Sequence, residues 1–186
     1  YAGYHNVTGQ YNTYIGYYAG AGASGQSNSN NTAVGYQALT GDTKGNKTVA
    51  VGTSALLTQN FTSSTDSFNT AIGHQAMLSL TSGDANTGVG KNSLSEVEGG
   101  SRNTGLGVGS GQKITSGSDN VAIGYESLYN QLTNGQTVAI GVNALYTYTG
   151  SRTIAIGYNA GKLLSSDVDN VFIGQQAGEN RTGGID

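Results

Sequence analysis

The chain is 186 residues long, with 31 glycines, no proline, no cysteine, 10% charged residues and a net charge of −3. The lack of cysteine excludes a disulfide framework and a thiolate metal centre. No basic run offers a surface to nucleic acid, and no apolar run is long enough to insert into a membrane as a helix.

Residues 1–30 are rich in tyrosine (Tyr1, Tyr4, Tyr11, Tyr14, Tyr17 and Tyr18) and in small residues, and Tyr1-Ala2-Gly3 repeats Tyr18-Ala19-Gly20. A pentapeptide then recurs. It reads Asn12-Thr-Tyr-Ile-Gly16, Asn31-Thr-Ala-Val-Gly35 and Thr48-Val-Ala-Val-Gly52, followed by the longest linker, Leu57 to Phe68. From there it reads Asn69-Thr-Ala-Ile-Gly73, Asn86-Thr-Gly-Val-Gly90, Asn103-Thr-Gly-Leu-Gly107 and Asn120-Val-Ala-Ile-Gly124. Thr137-Val-Ala-Ile-Gly141, Thr153-Ile-Ala-Ile-Gly157 and Asn170-Val-Phe-Ile-Gly174 complete it. The closing glycines, here called anchors, step by 19, 17, 21, 17, 17, 17, 17, 16 and 17 residues. A fixed period of this size means one structural unit stacked on copies of itself. The register runs to Tyr1 at one end and Ile185-Asp186 at the other, which implies a single repetitive segment over 1–186, cut from a longer fibre.

The unit reads as a strand. In Asn120-Val121-Ala122-Ile123-Gly124, Val121 and Ile123 share one side of an extended chain and Ala122 takes the other. β-Branched residues suit a pleated surface, and no 3.6-residue apolar stripe appears. A second apolar position recurs seven or eight residues past the anchor, at Leu80, Val97, Ile114, Leu132, Tyr148 and Leu164, and predicts a second, weaker strand. The fold class is therefore all-β, a parallel β-solenoid (β-roll) of about ten 17-residue coils. At one strand spacing per coil it makes a rod about 45–50 Å long. The aliphatic before each anchor, including Ile123, Ile140 and Ile156, is expected to form one buried column. The opening asparagines, Asn31 and Asn120 among them, are expected to stack into a ladder, with Thr48, Thr137 and Thr153 as shorter substitutes. The small slot at Ala33, Ala50, Ala71, Gly88, Gly105, Ala122, Ala139 and Ala155 is expected to allow another sheet or chain to approach closely; Tyr14 and Phe172 are its exceptions.

The form Asn-Thr/Val-Ala-Ile-Gly-x-x-Ala/Ser resembles the head repeats of YadA-type trimeric autotransporter adhesins. The stretch Asn31-Thr-Ala-Val-Gly-Tyr-Gln-Ala-Leu39 also resembles repeats of bacteriophage tail fibres. The period of 17 is longer than the 14 to 15 usual in the adhesin heads. The resemblance implies a homotrimeric roll, exposed outside the cell or on a virion tail fibre, that attaches to a cell-surface glycan or matrix protein.

No enzyme, cofactor or metal site is expected. His74 occupies a variable outward slot, and Gly105-Leu-Gly107-Val-Gly109 lacks the lysine of a phosphate loop. Asp167-Val-Asp169-Asn170 offers oxygens suited to calcium but not the repeating pattern of calcium-binding rolls. Tyr17, Tyr36, Tyr125 and Tyr158 share the slot just after the anchor and form the candidate surface-binding row. The alternative for that row is a packing ladder between coils or chains, and the alternative for the protein is a purely structural, self-assembling filament. An ice-binding threonine array is disfavoured because Thr13, Thr32, Thr70, Thr87 and Thr104 give way to Val or Ile in later units.

Overall fold

A computed structural model describes residues 1–181, so Ile185 and Asp186 lie outside the described residues. The described chain is all-β, without a helix. Its strands in chain order are β1 (Thr13–Ile15), β2 (Thr32–Val34), β3 (Gly45–Asn46), β4 (Val49–Val51), β5 (Thr65–Asp66) and β6 (Thr70–Ile72). Then come β7 (Thr87–Val89), β8 (Thr104–Leu106), β9 (Val121–Ile123), β10 (Val138–Ile140), β11 (Ile154–Ile156) and β12 (Val171–Ile173). All but β3 and β5 form one ten-stranded sheet in sequence order. Every pairing is parallel and joins equivalent residues, such as Ala122 with Ala139 and Ile140 with Ile156. One strand per unit and no crossover make a parallel β-solenoid of about nine turns.

The predicted second strand is largely replaced by turns. Among the described residues, pairing outside the main sheet is limited to β3 with β5 and one isolated parallel bridge between Asn6 and Gln26, all in the irregular early coils. Elsewhere the linking wall alternates hands. The second and fourth residues after the anchor are left-handed, for example Glu126 (φ 49°) and Leu128 (φ 50°). The backbone bonds from coil to coil all the same, as from Leu128 N to Ala144 O at 2.9 Å, without any extended run. A left-handed leucine costs about 1–2 kcal/mol. Leu39, Leu56, Met77, Leu94, Leu128 and Leu145 occupy this slot and are fully buried, and burial of each contributes about 1.5–3 kcal/mol.

The two sides of the strand are reversed from the expectation. Ile123, Ile140 and Ile156 do lie in one column, but it faces outward. Ile15, Leu106 and Ile173 in the same column are 59%, 48% and 69% exposed, whereas the small slot is buried inside the coil. The interior is thin, which is the physical reason. A Cβ on Gly88 would lie 3.1 Å from Met77 Cγ, and one on Gly105 2.8 Å from Leu94 Cγ. Where leucine or methionine holds the fourth slot it fills the coil, and the strand offers only Ala or Gly; at Gly111 and Gly161 the side chains of neighbouring coils, Leu94 and Leu145, take up the space instead. The close approach is thus within one chain. Tyr14 and Phe172 fit because glycine replaces the fourth-slot leucine beside them, at Gly20 and Gly178.

The anchors set the spacing of the stack. Gly124 has φ 127°, and a Cβ there would lie 2.6 Å from the carbonyl oxygen of Gly141. Each anchor therefore touches the backbone of the next.

Candidate binding surface

The surface is carried by a column of hydrogen bonds along one edge of the strand. Asn86 Oδ1 accepts from Asn103 N at 2.9 Å, and Asn103 Oδ1 accepts from Asn120 N at 3.1 Å. From Asn31 to Asn120 each Nδ2 donates to a carbonyl fourteen residues on, as Asn103 does to Gly117 O at 2.8 Å; at the two ends Asn12 reaches Asn28 O and Asn170 turns back to Val168 O. One side chain thus satisfies two buried backbone groups, one in its neighbour and one in the returning turn. Threonine is too short to reach that carbonyl. Where Thr137 opens a coil, Gln131 Nε2 donates to Gly150 O at 2.9 Å and to Thr137 Oγ1 at 3.1 Å. Where Thr153 opens one, the Tyr148 hydroxyl lies 2.8 Å from both Asp167 O and Thr153 Oγ1. Gln59 meets a threonine opener differently, from eleven residues after it: its Nε2 donates to Thr48 Oγ1 at 3.0 Å and its Oε1 accepts from Asn69 Nδ2 at 2.9 Å. Gln131, not the exposed Leu132, therefore occupies the interior slot of its coil.

This scaffold presents an apolar outer face. Val121, Val138, Ile154 and Val171 form one outward column, and the pre-anchor aliphatics form a second beside it. Toward the N-terminus the first column turns to threonine at Thr104, Thr87, Thr70 and Thr32. Its members are half-buried or exposed along the whole sheet. A parallel sheet is ordinarily covered on both faces, and here only the inner face is covered.

Next to this face runs a tyrosine-lined corner. Tyr17, Tyr36, Tyr125 and Tyr158 are all about half exposed. Tyr17 and Tyr36 sit in consecutive coils and stack with centroids 5.8 Å apart and planes within 6°. Tyr125 and Tyr158 are separated by Val142. A second pair lines the same corner five residues past the anchor, with Tyr129 and Tyr146 stacked at 5.1 Å and Lys113 Nζ over the Tyr129 ring. The Glu126 carboxylate beside the Tyr125 hydroxyl pushes its pKa up; Tyr146 and Tyr129 are also near it. The 17-residue spacing of Tyr129 and Tyr146 equals the period and was the sequence signal for this pair.

One ionisable group lies inside the coil. Asp42 is buried, and burial pushes its carboxyl up to about 6, against the opposing pull of Asn28, Gly45, Gln59 and Lys44 as hydrogen-bond donors. Asn28 Nδ2 donates to its Oδ2 at 2.8 Å and Gly45 N to its Oδ1 at 2.9 Å. No group of three His, Asp or Glu side chains among the described residues is placed to hold a metal ion. Comparison with known proteins found no matching family model, no similar curated protein and no similar solved structure.

Proposed function

We propose that this chain is a segment of an extracellular fibre, an adhesin or a virion tail fibre, in which three copies pack through the outer aliphatic face and the rod attaches to a host or other surface. The observation that carries the reading is the bare outer face of the parallel sheet. Contiguous apolar surface of this kind marks an interface. Copies of the same chain suit it, because they share one axial repeat and keep rung opposite rung along the whole length. The YadA-like and tail-fibre-like form of the repeat supports a trimer and a place outside the cell or on the virion. The tyrosine corner supplies the surface for a glycan or matrix protein.

Light scattering tests the assembly. The expected mass is three times the 18.9 kDa of the chain. Ile140→Asp, in the middle of the face, is expected to give monomers, and a monomeric wild-type chain at micromolar concentration would overturn the trimer. Binding of the fluorescently labelled chain to cells or extracted surface polymers tests attachment. The second reading, a structural shaft without its own receptor site, draws on the Tyr17–Tyr36 stack, in which one face of each ring is covered by the other. Wild-type trimers that bind no surface would favour it.

A further inference from the structure

We propose that the gap between Tyr125 and Tyr158 is a docking slot for one sugar ring of a neutral glycan; this names the ligand of the attachment surface and rests on that reading. The three residues after Gly124, Gly141 and Gly157 are Tyr125, Val142 and Tyr158, and all three are exposed, at 50%, 40% and 51%. Successive parallel strands lie about 4.8 Å apart, so the two tyrosine positions are about 10 Å apart along the rod. Aromatic faces make contacts at centroid separations of about 4.5–7 Å. A spacing of about 10 Å therefore accommodates two such contacts with one ring between them. Valine is shorter than tyrosine and leaves a floor in place of a third ring.

Tyr17 and Tyr36 show what happens in the same slot without a spacer. Their rings are parallel and 5.8 Å apart, so one face of each is covered by the other and no slot remains between them. The alternation Tyr-Val-Tyr is what separates a ligand slot from a packing ladder. The chemistry around it suits a sugar. Ring faces meet the C–H face of a pyranose, and the Tyr125 hydroxyl, with Tyr146 and Tyr129 near it, brings polar groups to the same corner. Glu126 is the only charged residue from Gly124 to Asn143, and it lies beside the Tyr125 hydroxyl. The Lys113 ammonium of the same corner is engaged over the Tyr129 ring.

Saturation-transfer NMR on the full chain, with cellotetraose, maltotetraose, chitotetraose and lactose as probes, tests the slot. At least one probe is expected to receive saturation. Tyr125→Ala and Val142→Phe, which fills the gap, are each expected to weaken that binding at least tenfold. Asp119→Ala, an exposed substitution outside the tyrosine corner, is expected to leave it unchanged. Three results would overturn the slot: no probe binds, Val142→Phe binds like the wild type, or Tyr125→Ala breaks the trimer and so marks an inter-chain contact. The attachment reading fails separately. If wild type and Val142→Phe attach to cells equally well, the slot is wrong and the fibre reading stands. If oligosaccharide binds a monomeric wild-type chain, the trimer is wrong and the slot stands.

Discussion

In the coils from Asn69 to Asn120, apolar Leu80, Val97 and Ile114 plug the interior and asparagines close every step. In the earlier coils the equivalent interior positions hold Asp42 and Gln59, with Gln26 and Asn28 beside them, all fully buried. Both regions nevertheless build parallel rungs in the same register. The coil-to-coil backbone bonds and the anchor contacts set the rung, while the plug need only fill space and leave few polar atoms without partners. An apolar plug does this at any pH. A polar plug with a carboxylate ties the first coils to proton concentration.

The largest expected effect comes from attacking what both regions share. Gly124→Ala adds a Cβ 2.6 Å from the Gly141 carbonyl at a φ of 127°, and is expected to destabilise the middle coils by about 4 kcal/mol. At Gly174 no atom of the described residues lies within 4 Å of the added Cβ, so Gly174→Ala keeps only the backbone strain, about 1–3 kcal/mol. Urea melts of the two variants check the difference, and equal losses would break the idea that rung-to-rung contact dominates.

The second test separates the regions by pH. The Asp42 carboxyl stands at about 6 in the folded coil against 3.8 for the free side chain. The folded state binds the extra proton, so stability is greatest below about pH 4, falls as pH rises through about 6, and is level above that. The full change is about 3 kcal/mol, confined to the first coils. Hydrogen exchange of their amides at pH 4.5 and 7.5 reads it, and Asp42→Asn is expected to remove the slope. Amides of the Asn86–Asn120 coils serve as the unchanged reference after correction for intrinsic exchange rates.

A smaller effect probes the exchange of asparagine for threonine. Gln131→Leu leaves Gly150 O without its side-chain donor and is expected to cost about 2 kcal/mol. Adding Thr137→Asn restores the donor and should recover most of that loss, giving a coupling of about 1–2 kcal/mol in a double-mutant cycle. Additive losses would refute the substitution. The smallest effect belongs to the cross-coil pair of Arg102 and Asp119, 2.6 Å apart and exposed. Asp119→Ala is expected to leave the urea midpoint unchanged, because solvent screens such pairs.

The period, the register and the single file of Ile123, Ile140 and Ile156 were legible in the sequence because stacking demands repetition. Which side of the strand faces inward was not, since alternation alone marks two sides and ranks neither. The deciding signal was the leucine or methionine in the fourth slot. A large residue on one wall of a thin coil requires a small one on the other, and Tyr14 with Gly20 and Phe172 with Gly178 are the same rule inverted. The partnership of Gln131 with Thr137 was also present, as a polar residue six positions before a threonine opener, but it needed the returning carbonyl to make sense. For the tyrosines, the shared slot was visible from the start. The contrast between a filled pair and a spaced pair needed the rung order.

Backbone bonds between coils run along the axis of the rod. A pull on the two ends therefore loads the bonds of one seam together and the seams one after another. Such a rod resists force until its weakest seam parts, and then lengthens by a whole coil at a time. The early coils, with their polar plug, are where acidity would tune the force at which that first step occurs.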